Sequence, residues 1–253
     1  MGDGVRTLRL TVQYDGSDFA GYQLQSRART VQGVLHEAFQ RLTGEDVRAN
    51  AAGRTDAGVH ALGQVVSVQT RTALAPQVVG RALNALLPAD VAVSDTVDAP
   101  PGFHARYSAL AREYRYVVYN GPTPGPLWRR YSYHVGDPLD ATRIDAALSP
   151  LVGRHDFGSF GRGMEDRISG VRGSTVRHMM RARCRRVRAF LIFSFTANAF
   201  LRTMIRSLVG TVLLVGRGQL APEALTAILA ARDRGAAGPS APPHGLVLVR
   251  VRY

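Results

Sequence analysis

A chain of 253 residues with 45% apolar side chains is long enough for one large or two ordinary domains, and too apolar to be disordered. Its formal charge of +13 is carried wholly by arginine, since no lysine is present, and this favours a polyanionic partner. A single cysteine, Cys184, excludes an internal disulfide and a thiolate zinc site, and no apolar run approaches the roughly 20 residues that span a bilayer. The opening Met1-Gly2-Asp3-Gly4-Val5-Arg6 has no basic segment followed by an apolar stretch, so a soluble cytoplasmic protein is the expectation. Without a basic amphipathic anchor helix, nucleic acid ranks ahead of membrane as the polyanion.

Arg6 to Tyr14 alternates as a strand with Leu8, Leu10 and Val12 on one face. A turn-rich stretch from Asp15 to Arg29 follows, and Thr30 then caps a helix with Val31, Val34, Leu35, Ala38, Phe39 and Leu42 on its apolar side, ending at Gly44. Val47 to Ala51 and Gln64 to Gln69 read as strands flanking a Gly-Arg-Thr-Asp loop. Pro76 opens a second helix through Val78, Val79, Ala82, Leu83 and Leu86, which Pro88 closes, and Val91 to Val97 is a further strand.

Ala99-Pro100-Pro101-Gly102 is the expected boundary between two lobes, 1–102 and 103–253. Beyond it, Ala109 to Tyr119 is a long strand with Tyr114, Tyr116 and Val118 on one face. Asp140 caps a helix through Ile144, Ala147 and Leu148. Val176 to Val187 and Phe190 to Thr196 form a hairpin, with Cys184 a half-buried strand residue. A helix through Leu201, Ile205, Leu208 and Val212, a short helix after Pro222 and a last strand from Leu246 to Tyr253 complete the order. Gly235 to Pro243 is small and proline-rich, so it reads as a mobile loop. Each half runs strand, helix, strand, strand, helix, strand, the second with insertions. The fold class is α+β: two sandwich lobes with mostly antiparallel sheets.

The segment Gly53-Arg54-Thr55-Asp56-Ala57-Gly58-Val59-His60 carries the chemistry. Two glycines bracket a carboxylate and allow a tight turn or a close ligand approach, with Arg54 two residues before the acid and His60 four after. By itself Thr-Asp-Ala-Gly is also an ordinary turn. Arg177, Arg181, Arg183, Arg185, Arg186 and Arg188 alternate in part along one strand and suit phosphate contacts. His155-Asp156 is read as a turn feature without a catalytic role.

Ala52-Gly53-Arg54-Thr55-Asp56-Ala57-Gly58-Val59-His60-Ala61 resembles the signature of the tRNA pseudouridine synthase A family. The likeness continues through Tyr14-Asp15-Gly16-Ser17-Asp18-Phe19-Ala20-Gly21-Tyr22-Gln23, Phe103 to Arg106, Arg112 to Tyr116, Asn198 to Gly210, and Ala241-Pro242-Pro243-His244-Gly245-Leu246. Several separated matches in order are far more specific than one. Tyr22 and Pro243 depart from the tryptophan and alanine usual there. The resemblance implies the pseudouridine synthase fold with an RNA-binding cleft between the lobes. It implies Asp56 as nucleophile, Arg54 for the flipped nucleotide, Tyr114 for the uracil ring, Arg206 as the cation paired with Asp56, and Leu246 as a pocket wall. It further implies a homodimer, no metal or cofactor, and tRNA as substrate, modified at positions 38, 39 and 40 of the anticodon stem-loop. A non-catalytic basic RNA-binding module and a pseudouridine synthase with an rRNA substrate are the alternative readings.

Overall fold

The computed structural model describes residues 4–161 and 173–253. In chain order its elements are β1 (Arg6–Tyr14), α1 (Val31–Thr43), β2 (Asn50–Ala51), β3 (His60–Thr70), α2 (Pro76–Leu86), β4 (Val91–Asp98), β5 (Ala111–Tyr119), β6 (Tyr133–His134), α3 (Ala141–Leu148), β7 (Gly153–Asp156), β8 (Val176–Val187), β9 (Phe190–Ala197), α4 (Met204–Gly216), α5 (Ala224–Ala231) and β10 (Leu246–Arg252). They form two units, one of Met1–Leu110 with Val247–Tyr253, the other of Ala111–Leu246. The mixed α+β class with mostly antiparallel strands is the one expected.

In the first unit the strands lie in the order β4-β1-β3-β10, with β2 added to β3. β1 runs antiparallel to both neighbours, and Leu8, Leu10 and Val12 are wholly buried, as their alternation demands. Thr30 accepts the Gly33 N–H at the start of α1, and Gly44 ends the helix in the left-handed region at φ 73°, where a side chain is strained. β3 is longer than the expected 64–69, and its residues 63–68 are buried on both faces. The second face is covered by the segment after Gly102. Ala105 N–H donates to Ser67 Oγ, and Tyr253 OH donates to the Ala105 carbonyl. Residues 47–49 were expected to be strand, yet only Asn50–Ala51 joins the ladder. The Ala49 carbonyl is instead taken by two side chains, Tyr22 OH and Gln32 Nε2, each at 3.0 Å.

The second unit has strands β5-β9-β8-β7, all antiparallel, with the short β6 parallel to β5. Tyr114, Tyr116 and Val118 form the buried face of β5. Asp140 caps α3 by accepting the N–H groups of Thr142 and Arg143. Cys184 is more deeply placed than expected, with 8% exposure, and burial pushes its thiol pKa up to about 12, aided by the Asp145 carboxylate. The Cys184 thiol therefore stays protonated at neutral pH.

The segment 235–243, expected as a mobile loop, is strapped along α4. Ala241 N–H donates to the Arg206 carbonyl at 2.9 Å, Gly238 N–H to Thr211 Oγ1 at 3.0 Å, and the Ser207 and Ser240 hydroxyls lie 2.9 Å apart. A Cβ at Gly210 would stand 1.7 Å from the Pro239 carbonyl oxygen. Gly238, one of the small residues that suggested mobility, also lies against this helix, where an added Cβ would stand 3.1 Å from Thr211 Cα. Gly210→Ala should therefore destabilise the protein by about 2–3 kcal/mol or more. Gly44→Ala, where only the left-handed φ is at stake and nothing lies within 4 Å of the new methyl, should cost about 1 kcal/mol. Urea unfolding of the two variants measures the difference.

Candidate active site

The loop from Gly53 to Gly58 joins β2 to β3, and its backbone is held on both legs. Ala52 N–H donates to the Val65 carbonyl at 2.8 Å, and the Thr55 carbonyl accepts Tyr22 N–H at 3.0 Å. The Asp56 carbonyl accepts Val59 N–H at 3.2 Å, while Gly58, at φ 75°, donates its N–H to the Phe19 carbonyl at 3.3 Å. Two of these partners belong to the segment Tyr14–Gln23, so two stretches of the family likeness meet here.

That meeting leaves no room for side chains. A Cβ on Gly16 would lie 2.0 Å from the Val59 carbonyl oxygen, and one on Gly21, at φ 101°, would lie 2.8 Å from the Thr55 carbonyl oxygen. Gly16 N–H also donates to His60 Nδ1 at 3.0 Å. Asp15 Oδ1 is 3.1 Å from the same ring nitrogen, which cannot accept from Gly16 and donate to Asp15 at once. Asp15 Oδ1 also accepts Ser17 N–H at 2.9 Å. The turn is anchored from behind. Asp15 N–H donates to the Asp90 carbonyl, and Arg29 forms a two-pronged pair with the Asp90 carboxylate at 2.7 and 2.8 Å. Arg29 also lies 4.0 Å over the Phe19 ring, and the Asp90 carboxylate raises its pKa further above the usual arginine value.

Beneath the loop, Tyr14 OH lies 2.8 Å from Thr55 Oγ1, and Gln64 Nε2 donates to Tyr14 OH at 3.3 Å and to the Gly53 carbonyl at 2.7 Å. Tyr14, Thr55 and Gln64 are all buried. Desolvation pushes the Tyr14 pKa up to about 12, against the hydrogen bonds from its two neighbours. Above this floor Arg54 is exposed and Asp56 half-buried. Sequence reasoning did not single out Tyr14 or Gln64 individually. Only the register, which pairs Gln64 opposite Val12, brings them under the loop.

Tyr114, Arg206 and Leu246 stand in the second unit. Tyr114 is 7% exposed and meets Phe200 edge-on, with ring centres 5.2 Å apart. Arg206, in the first turns of α4, donates from Nε to the Ala241 carbonyl at 2.7 Å. Tyr116 OH donates to the Pro242 carbonyl at 2.8 Å, and Gly245 lies against the Tyr116 ring. Burial and the neighbouring Tyr133 raise the Tyr116 pKa. Thus Arg112–Tyr116, the start of α4 and Ala241–Leu246 are tied together within this unit. Pro243 heads a short 3-10 turn, Pro243–Gly245, and Tyr22 is fully buried with its hydroxyl satisfied by Ala49.

The arginines of β8 and of the turn after it divide by role. Arg183 pairs with Asp145 at 3.1 Å, Arg186 donates to Asn120 Oδ1 and the Leu139 carbonyl, and Arg177 donates to the Ser174 and Val176 carbonyls. Arg181, Arg185 and Arg188 are exposed. Asp156 Oδ1 accepts Gly158 N–H, closing the expected turn. Among the described residues, no group of three His, Cys, Asp or Glu side chains is placed to hold a metal ion, and no helix is long and apolar enough to cross a membrane.

A family model described as tRNA pseudouridine synthase matches residues 10–108 and 147–253. The tRNA pseudouridine synthase A of Roseiflexus sp. is 47% identical over 253 residues, covering 98% of this chain and 91% of the relative. That of Moorella thermoacetica is 46% identical over 252 residues, covering 97% and 99%. That of Halalkalibacterium halodurans is 43% identical over 247 residues, covering 96% and 91%. The matched regions include the Asp56 loop and the segments packed on it.

The contact at Gly16 gives a direct test of this scaffold. Gly16→Ala must push the Val59 carbonyl aside, and on the role expected for Asp56 a displacement near 1 Å there costs about 100-fold in rate. Single-turnover modification of tRNA by this variant should fall by about that factor.

Proposed function

The chain belongs to the tRNA pseudouridine synthase family, and from that premise we propose that it isomerises uridine in the anticodon stem-loop of tRNA with Asp56 as the nucleophile. The reaction breaks the bond from the base nitrogen to the ribose C1′, turns the base, and forms a carbon–carbon bond from base C5 to C1′. The C5 proton is lost and a proton is gained at the released nitrogen. Substrate and product contain the same atoms, so no oxidant, reductant or group donor is consumed.

The observation that carries the assignment is a carboxylate, half-buried, on a loop whose backbone is bonded on both legs. Such a loop holds a reacting oxygen in place without using the side chain itself. A nucleophilic carboxylate must be ionised, and a cation favours that form. The family resemblance gives this task to Arg206. Its other assignments are Arg54 to the nucleotide flipped out of the stack, Tyr114 to the uracil ring and Leu246 to the wall of the base pocket. The exposed position of Arg54 suits a side chain that must reach into RNA. The same resemblance supports positions 38, 39 and 40 as targets and a homodimer as the working form.

The expected outcome is pseudouridine at those positions when unmodified tRNA is incubated with the native protein, and none with Asp56→Ala, mapped nucleotide by nucleotide. Turnover by the variant would remove Asp56 from the chemistry, and product elsewhere in the tRNA would overturn the substrate assignment. Arg181, Arg185 and Arg188 supply phosphate contacts in this reading. Replacing Arg181 and Arg185 by Gln should weaken tRNA binding at low salt. It should also make the slope of log affinity against log salt shallower by about one per arginine.

A further inference from the structure

The buried groups beneath the Asp56 loop can donate hydrogen bonds in one direction only. Gln64 Nε2 lies 2.7 Å from the Gly53 carbonyl, which can only accept. This sets the amide orientation, because the reverse would place two carbonyl oxygens against each other. The second Nε2 proton then points to Tyr14 OH, 3.3 Å away. Having accepted from Gln64, Tyr14 has one acceptor for its own proton among its described contacts, Thr55 Oγ1 at 2.8 Å. Thr55 therefore accepts from Tyr14 and keeps its own hydroxyl proton to give away. Burial pushes the Tyr14 pKa up to about 12, so the phenol keeps the proton it donates throughout the neutral range.

The groups sit where direction matters. Gln64 is 0% exposed, Tyr14 4% and Thr55 7%, and Gln64 Oε1 is buried with no hydrogen-bond partner among the described residues. An orphan acceptor in a sheet interior is a cost that packing alone does not explain. A leucine or valine facing Val12 would fill the same space without it. The amide serves two positions of one loop, Gly53 directly and Thr55 through Tyr14, and these flank Arg54 and immediately precede Asp56.

We propose that Gln64 and Tyr14 are positioning residues for the isomerisation: they lock the leg Gly53–Thr55, and with it the Asp56 carboxylate, by a one-way hydrogen-bond chain that ends on the Thr55 hydroxyl. This inference rests on Asp56 being the reacting group. The locked leg sets the direction in which the carboxylate leaves the backbone, and loosening it misaims the attack without changing the surface that holds tRNA.

The test compares Tyr14→Phe, Gln64→Glu, Thr55→Val and Thr55→Ser under steady-state and single-turnover conditions on unmodified tRNA. Asp56→Asn and Asn84→Ala are carried alongside. Tyr14→Phe cuts the chain in its middle. Gln64→Glu keeps the shape but can supply at most one donor where two are needed. Thr55→Val removes the terminal hydroxyl, and Thr55→Ser restores it. Asn84 makes two hydrogen bonds to the Val93 backbone in the same unit, so its replacement controls for a general loss of stability.

The first three variants should lose 10- to 100-fold in kcat with the KM for tRNA within twofold of the native value. Thr55→Ser should stay within threefold of native, and Asn84→Ala should lower the melting temperature while leaving kcat alone. Tyr14→Phe and Thr55→Val as active as the native protein, with Asp56→Asn inactive, would overturn the chain but not the nucleophile. A rise in KM matching the fall in kcat would also overturn it, by showing that RNA binding was what failed. An active Asp56→Asn would remove the nucleophile and this inference with it.

Discussion

Asp56 stands where it does because two backbones touch. The turn at Gly16 presses on the Val59 carbonyl and Gly21 presses on the Thr55 carbonyl, at distances that exclude any Cβ. Close contact turns a flexible glycine-bracketed loop into part of the sheet's framework, since each leg then finds hydrogen bonds on the neighbouring segment. The anchor of that segment lies further back, in the paired arginine fork and carboxylate of Arg29 and Asp90. A charge pair near the end of α2 thus bears on the position of a carboxylate across the unit.

The same device recurs in the second unit. Gly210 meets the backbone of Pro239, and Gly245 meets the ring of Tyr116. Both contacts fasten the segment before β10, so Arg206 and Tyr116 acquire backbone partners in Ala241 and Pro242. In each unit, a stretch rich in glycine and small residues joins distant parts of the chain. Arginine has a double use as well. The high positive charge is partly spent on internal order, in Arg29–Asp90, Arg183–Asp145 and Arg217–Asp137, and in arginines such as Arg112 and Arg206 that donate to backbone carbonyls. Net charge alone therefore overstates what is available to bind phosphate.

Local patterns were legible where a single force decided them. Thr30, Gly44, Pro76 and Asp140 mark helix ends because unsatisfied backbone groups there need specific neighbours. β1 and β8 were legible because one face is buried and the other wet. β3 was read too short, since a strand covered on both faces has no alternation to read. Residues 47–49 were read as strand because their apolar spacing is that of a strand, although side chains rather than a neighbouring strand satisfy the Ala49 carbonyl. Residues 235–243 looked loose for the reason that makes them close-packed. The pairing of β10 with β3 lay beyond any local signal, because the parallel partners Val247 and His60 are far apart along the chain.

For the site, the residue types and their order were enough to identify the family and to single out Arg54, Asp56, Tyr114, Arg206 and Leu246. Hydrogen-bond direction was not available there. Tyr14 and Gln64 are an ordinary tyrosine and glutamine in strands until the sheet register sets them under Gly53 and Thr55. By itself the sequence determined where helices begin and end, which faces are apolar, how much positive charge the chain carries and which family it resembles. These follow from spacing and composition along the chain. Tertiary structure alone decided which backbones come close enough to forbid a side chain and which buried donor faces which acceptor. Both depend on distances between residues that the chain's own spacing leaves undetermined.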